Sequence, residues 1–435
     1  MRQVSTPEPT SYNPSRVRTY PPVWQVWQVA MGAAMALAIS GPVAAQVLDA
    51  RPIVLGEGRV TISGGVTATF GCAAGPSVQG CGEDTGFFNY TDYERSALRM
   101  LRLDVSAAVR ASDRLALLAE VRSDNGGTPE PYALFVRVRP WPARRIDIQA
   151  GRIPPTFGAF ARRTYPADNL LIGYPLGYQY LTSLRPDALP ANADELLRMR
   201  GRGWLSSFGI GNPVPDRGVP LVSAFGWDTG IQLHAATDVI DVAVAVTTGT
   251  LSHPLVDDDN NGKQVAGRFT VRPFPGLLVG ASGARGPFVA RSAAVAAGVD
   301  TGGALTQIAW GADAEYSRDH YLVRAEAIVS DWQLPIVAAP AIGGPLRALS
   351  TSVEGRYRIR PGLYAAARVD HLAFSKVVGT TLRDEWDAPV TRLEVGVGYS
   401  LMRNLMLKVA WQRNTRDTTR TPSRSFVAAQ AVFWF

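Results

Sequence analysis

From residue 59 onward one pattern repeats: about ten residues of strict alternation between apolar and mixed positions, then a break. In 240–247, Ile240, Val242, Val244 and Val246 alternate with Asp241, Ala243, Ala245 and Thr247. In 349–359, Val353, Tyr357 and Ile359 stand against Ser350, Ser352, Glu354, Arg356 and Arg358. A side-chain period of two places the two sets on opposite faces of a strand and does not fit a helix. Sixteen segments read this way: 59–70, 97–110, 114–123, 132–140, 145–152, 229–237, 240–249, 264–272, 277–284, 307–316, 320–330, 349–359, 363–371, 391–400, 405–414 and 425–435. The breaks alternate too. Short ones, such as Ala111 to Asp113 and Arg360 to Gly362, take turns with long ones.

A soluble sandwich would alternate in the same way. Three features point elsewhere. Aromatics on the apolar face collect toward the short-turn rim (Tyr316, Tyr321, Tyr357, Tyr399, Phe433, Phe435), with Phe70, Trp310 and Trp411 toward the other. Two such girdles suit two water–lipid interfaces. The apolar face is almost free of charge, as it must be where a midplane Arg or Lys costs about 2–4 kcal/mol. The other face is charged and rich in small residues, which suits a wet lumen. The sequence therefore predicts an all-β fold, a transmembrane antiparallel β-barrel of sixteen strands over 59–435.

The last stretch, Phe426 to Phe435, sets Val427, Ala429, Ala431, Phe433 and Phe435 on one face. It resembles the closing strand of bacterial outer-membrane barrels. The resemblance makes Phe433 and Phe435 an assembly signal, with the barrel-assembly machinery and outer-membrane lipids as partners. The third long loop, 153–228, is the longest, and loops beyond about fifteen residues usually carry function. It opens Gly151-Arg152-Ile153-Pro154-Pro155-Thr156-Phe157-Gly158, similar to a stretch in the phosphate-selective porin O and P family. That likeness, to sixteen-stranded porins, implies a loop folded into the lumen as a constriction, passive diffusion of small hydrophilic solutes, and a homotrimer.

The formal net charge is +7, carried almost wholly by arginine; the lysines are Lys263, Lys376 and Lys408. Arg bias from a GC-rich genome accounts for this as readily as an acidic partner does, and no nucleic-acid-binding motif accompanies it. The candidates for lining the pore or its constriction are Arg137, Arg139, Arg162, Arg163, Arg185, Arg198, Arg200, Arg202, Arg356 and Arg358. An arginine excess there favours anions mildly. A wall neutralised by cross-strand pairs is the competing expectation. The phosphate-selective members use lysine ladders, which this chain lacks.

Residues 1–45 read as a secretory signal, with Arg16 and Arg18, an apolar run from Val29 to Ile39, and cleavage after Ala45. A periplasmic segment, 46–58, follows. Cys72 and Cys81 are expected to pair as a disulfide in an exported protein. Asp257, Asp259 and Asn261 open like a Ca²⁺ loop, but the twelfth position is Arg268 instead of Glu, which favours a solvated loop. His234, His253, His320 and His371 form no zinc spacing, and no nucleophile motif or phosphate loop occurs, so neither enzyme activity nor a cofactor is expected. A structural or adhesive surface barrel with a sealed lumen is the rival expectation.

Overall fold

The computed structural model describes residues 51–74, 96–98, 100–224, 227–260, 262–299, 305–416 and 424–435. The expected signal segment and Cys81 lie outside them; Cys72 is disulfide-bonded. Sixteen long antiparallel strands follow in chain order: β1 (Val60–Ala74), β2 (Met100–Arg110), β3 (Leu115–Asp124), β4 (Glu130–Val138), β5 (Arg145–Ile153), β6 (Asp228–Ala236), β7 (Ile240–Thr247), β8 (Gln264–Val271), β9 (Leu277–Pro287), β10 (Thr306–Arg318), β11 (Tyr321–Trp332), β12 (Leu346–Arg360), β13 (Leu363–Phe374), β14 (Val390–Met402), β15 (Leu405–Arg416) and β16 (Arg424–Trp434). Each pairs with its neighbours in sequence, and β16 returns to β1 from Gly65↔Trp434 to Ala74↔Ser425. The ring is closed.

Alternation decides which way each side chain points. On β12, Val353 and Tyr357 are exposed on the outer wall while Ser350 and Glu354 are buried inside. Exposed Val, Leu, Ile and Phe run round the whole exterior, far more than a water-soluble surface carries in one patch. The medium that suits this band is hydrocarbon. Tyr321 and Tyr357 face each other on adjacent strands of the short-turn rim with ring centroids 5.0 Å apart, where an aromatic ring bridges lipid and water.

Several strands run farther toward the long-loop rim than strict alternation predicts: β12 starts at Leu346 and β13 continues to Phe374. There the inner face turns apolar, with Trp332, Leu346, Ala348, Leu372 and Phe374 buried in one cluster. A short strand, Ile53–Leu55, pairs with Val60 to Ile62 of β1. It lies on the same edge that β16 occupies from Gly65 onward.

Candidate pore and its inner loop

Near the end of β5 stands Gly151, whose φ of 126° and close approach to the Leu134 carbonyl leave no room for a side chain. The connection to β6 then crosses the barrel interior. Its backbone and side chains bond inward-facing residues on strands all round the ring: Tyr165 OH donates to Glu120 on β3 at 2.6 Å, Gly158 N to Ser282 on β9 at 3.1 Å, and Ala159 N to Glu326 on β11 at 2.6 Å. On the far side Glu394 of β14 accepts the N–H groups of Ile172 and Gly173, Arg368 of β13 donates to the Gly173 carbonyl at 2.6 Å, and Lys408 of β15 donates to the carbonyls of Pro166 and Asn169. Phe160 packs between Tyr174 and Tyr178 of the same loop, with centroids 5.5 and 5.2 Å away.

Short helices α1 (Leu176–Gln179) and α2 (Ala193–Arg198) interrupt the loop. The second forms where Ala193 to Met199 reads as helical turns. Asn192 caps it by accepting the Glu195 N–H. Toward the outer rim Asp387 accepts the N–H groups of Ser183 and Gly201, each at 2.7 Å, and burial pushes its carboxyl above the ordinary range. Trp386 beside it packs edge-on against Phe374 and Trp332.

Charges on the inner wall next to the loop are neutralised in place. Arg102 pairs with Asp124 at 2.7 Å, Arg268 with Asp313 at 2.7 Å, and Arg368 with Glu354, Asp370 and Glu394 at 3.3, 3.1 and 2.7 Å. A buried ion is tolerated only with such partners.

No protein-family model and no curated protein sequence matches the chain. Solved structures match in fold. In-vitro folded OmpT, an outer membrane protein of Vibrio cholerae, aligns with a TM-score of 0.51 at 13% identity, over 88% of this chain and 99% of that one. Its loop L8 deletion mutant gives 0.52 at 13% identity, over 86% and 99%. The anion-selective porin from Comamonas acidovorans gives 0.51 at 11% identity, over 86% and 99%. The fold is that of a barrel of the bacterial outer membrane.

Outer-membrane barrels carry short turns on the periplasmic side and long loops outside, so the inner loop enters this one from the extracellular rim. The ten arginine candidates separate accordingly. Arg185 is buried within the loop, held by Asp187 and by the carbonyls of Ser206 and Val214. Arg163 reaches Glu315 at 3.4 Å, Arg198 reaches Glu195 at 3.1 Å, and Arg200 lies between Asp384 and Glu385. Arg202 is exposed, and the Arg162 side chain lies outside the described residues. Arg139 pairs with Asp147 at 2.8 Å. Arg137, Arg356 and Arg358 stand on inward positions at the periplasmic ends of β4 and β12. The nine whose side chains are described do not converge on one ring.

Glu326, Glu394, Lys408 and Asp387, which hold the loop, were not legible as a group, because their partner is a segment distant in sequence. For Glu326, Glu394 and Lys408 the local sign was charge at mid-strand on the inner face; Asp387, in the connection between β13 and β14, carried none. Around the Ca²⁺-like stretch, Asp258 pairs with Lys263, Asp257 is exposed, and Asn261 lies outside the described residues. Among the described residues no group of three His, Cys, Asp or Glu side chains suits a metal ion. A cavity of about 490 Å³ lies between the inner loop and the 250–263 loop, lined by Arg152, Asp187, Asp216, Arg217 and His253 among others. Burial holds the His253 imidazole below its ordinary range.

Proposed function

We propose that the barrel is a porin-type channel through which small hydrophilic solutes diffuse across the outer membrane, with a mild preference for anions. The observation that carries this is the inner wall itself: a closed ring of strands, polar and charged inside, with a long loop anchored across its interior. In such a channel no group reacts. Width and charge set which solutes pass, and the arginine excess over carboxylates inside the barrel supports the anion preference. The Pro154–Gly158 likeness to the phosphate-selective porins supports the place of the loop, while the scarcity of lysine speaks against their ligand. Assembly as a homotrimer belongs to the same reading and is checked by native mass spectrometry in detergent.

Reconstitution in planar bilayers tests the channel. Discrete conductance steps with a reversal potential displaced toward the chloride equilibrium in a KCl gradient are expected; a displacement toward potassium would remove the anion preference. A second reading, a sealed surface barrel, has one observation in its favour. Arg102, Arg368, Arg392 and Lys408 are all at most 2% exposed, so the loop is packed tightly on that side of the lumen. Absence of any conductance from folded protein would select it.

A further inference from the structure

The inward charges fall into two populations along the barrel axis. Near the inner loop they are paired or, like Lys408, bonded to loop carbonyls. At the periplasmic mouth six arginines are not. Arg59, Arg110, Arg137, Arg272, Arg356 and Arg358 occupy inward register positions, each next to a residue of the outer, lipid-facing set such as Val109, Val136 or Tyr357. Arg59 and Arg272 extend the ladder, since Arg110 N donates to the Arg59 carbonyl and Arg272 N to that of Val239. None of the six has an ion-pair partner among the described residues. The inward strand carboxylates at this level are engaged, Asp147 with Arg139, Asp241 with His234, and Glu315 with Arg324 and Arg163, while Glu57 and Asp113 lie in the rim turns. Asp104 lies deeper, opposite Arg122.

Arg356 and Arg358 stand two residues apart on β12, which sets their Cα atoms about 7 Å apart on the same face. The buried Nε of Arg356 has no hydrogen-bond partner among the described residues. Arg324, whose own charge is shared by Glu315 and Glu354, flanks them on the next strand. Like charges this close repel, and a simple salt screens them only over about 8–10 Å. An anion with several charged oxygens neutralises more than one guanidinium at once, and the guanidinium fork matches phosphate-type oxygens two at a time.

We propose that the periplasmic mouth is a binding site for multivalent oxyanions, centred on Arg356 and Arg358, so that such anions enter and obstruct the lumen from the periplasmic side only. The obstruction rests on the channel reading; the site itself does not.

Binding is measured by titrating inorganic tripolyphosphate into the full chain folded in detergent. Wild type is expected to bind. Arg356→Gln with Arg358→Gln is expected to bind about tenfold more weakly, the order expected for losing two like-signed contacts in partly screened surroundings. Arg356→Lys with Arg358→Lys, which keeps the charge and loses the fork, is expected to fall between. A shift in gel mobility on boiling equal to that of wild type checks that each variant is folded. In planar bilayers, tripolyphosphate is expected to lower the current from one compartment and not the other. No binding, or an equal loss in Arg202→Gln at the outer rim, overturns the site even if current flows. Equal obstruction from both sides overturns its placement. Binding without any current keeps the site and removes only the channel.

Discussion

Glu394 on β14 accepts the backbone N–H of Gly173 at 2.7 Å, fixing the inner loop to the wall at a point where a side chain would have to displace the ends of Glu394 and Gln412. A Cβ on residue 173 would lie 2.5 Å from Glu394 Oε2 and 2.7 Å from Gln412 Nε2. Gly173→Ala is therefore expected to push the loop off its anchor at a cost of about 1–3 kcal/mol, the usual penalty for overfilling a packed site. Faster trypsin cleavage at the loop arginines, with barrel gel mobility unchanged, is the expected result.

Lys408 makes a related prediction. Its ammonium, 2% exposed, is satisfied by the loop carbonyls of Pro166, Asn169 and Leu171. Lys408→Met keeps the stem and removes the donor, leaving those carbonyls to seek water. The loop should spend more time away from the wall, and single-channel conductance should rise and become noisier. Conductance identical to wild type would show that this anchor does not limit the passage.

Asp387 gathers the N–H groups of Ser183, Gly201 and Ala388. Asp387→Ala strands them in a buried place at about 1–3 kcal/mol each. Because Trp386 beside it is fully buried against Trp332 and Phe374, the loss should spread through the outer half of the barrel. A lower temperature for the transition from the compact to the unfolded gel band is expected, larger than for Gly173→Ala.

Acid should loosen the contact between the 250–263 loop and the inner loop. Burial lowers the His253 pKa in the packed state, against the opposing pull of Asp259, Asp187 and Asp228 and with help from Arg217. Below its ordinary value of about 6.5 the opened form therefore takes up more protons, so packing is full above that pH and weakens as pH falls through it. Protease access to this loop should increase between about pH 7.5 and 5.5. In His253→Gln the His253 contribution to that increase should vanish.

The strand ring was readable because lipid outside and water inside impose opposite demands on successive residues. Val353, Glu354, Gly355 and Arg356 show it in four positions. Where the inner face meets the loop instead of water, that contrast fades. Leu346, Ala348, Leu372 and Phe374 face inward and are apolar, so the strands outrun the alternation that announces them. The α2 turn was legible from local residues, with Asn192 as its cap. Helix α3 (Arg291–Ala296) carries no side-chain cap to announce it. The loop anchors were hidden for a different reason: Glu394 and Gly173 are separated by 221 residues, and no spacing rule connects them.

The seam of the barrel is staggered. Gly64 and Phe435 exchange backbone hydrogen bonds at 3.2 and 3.0 Å, and just below them Ile53–Leu55 takes over the same edge of β1. One ribbon is thus met end to end by the chain's finish and a piece of its own beginning. The lower end of β1, which the closing strand does not reach, is thereby capped by Ile53–Leu55 instead of standing bare, and the margin open to a second copy moves outward to that short strand.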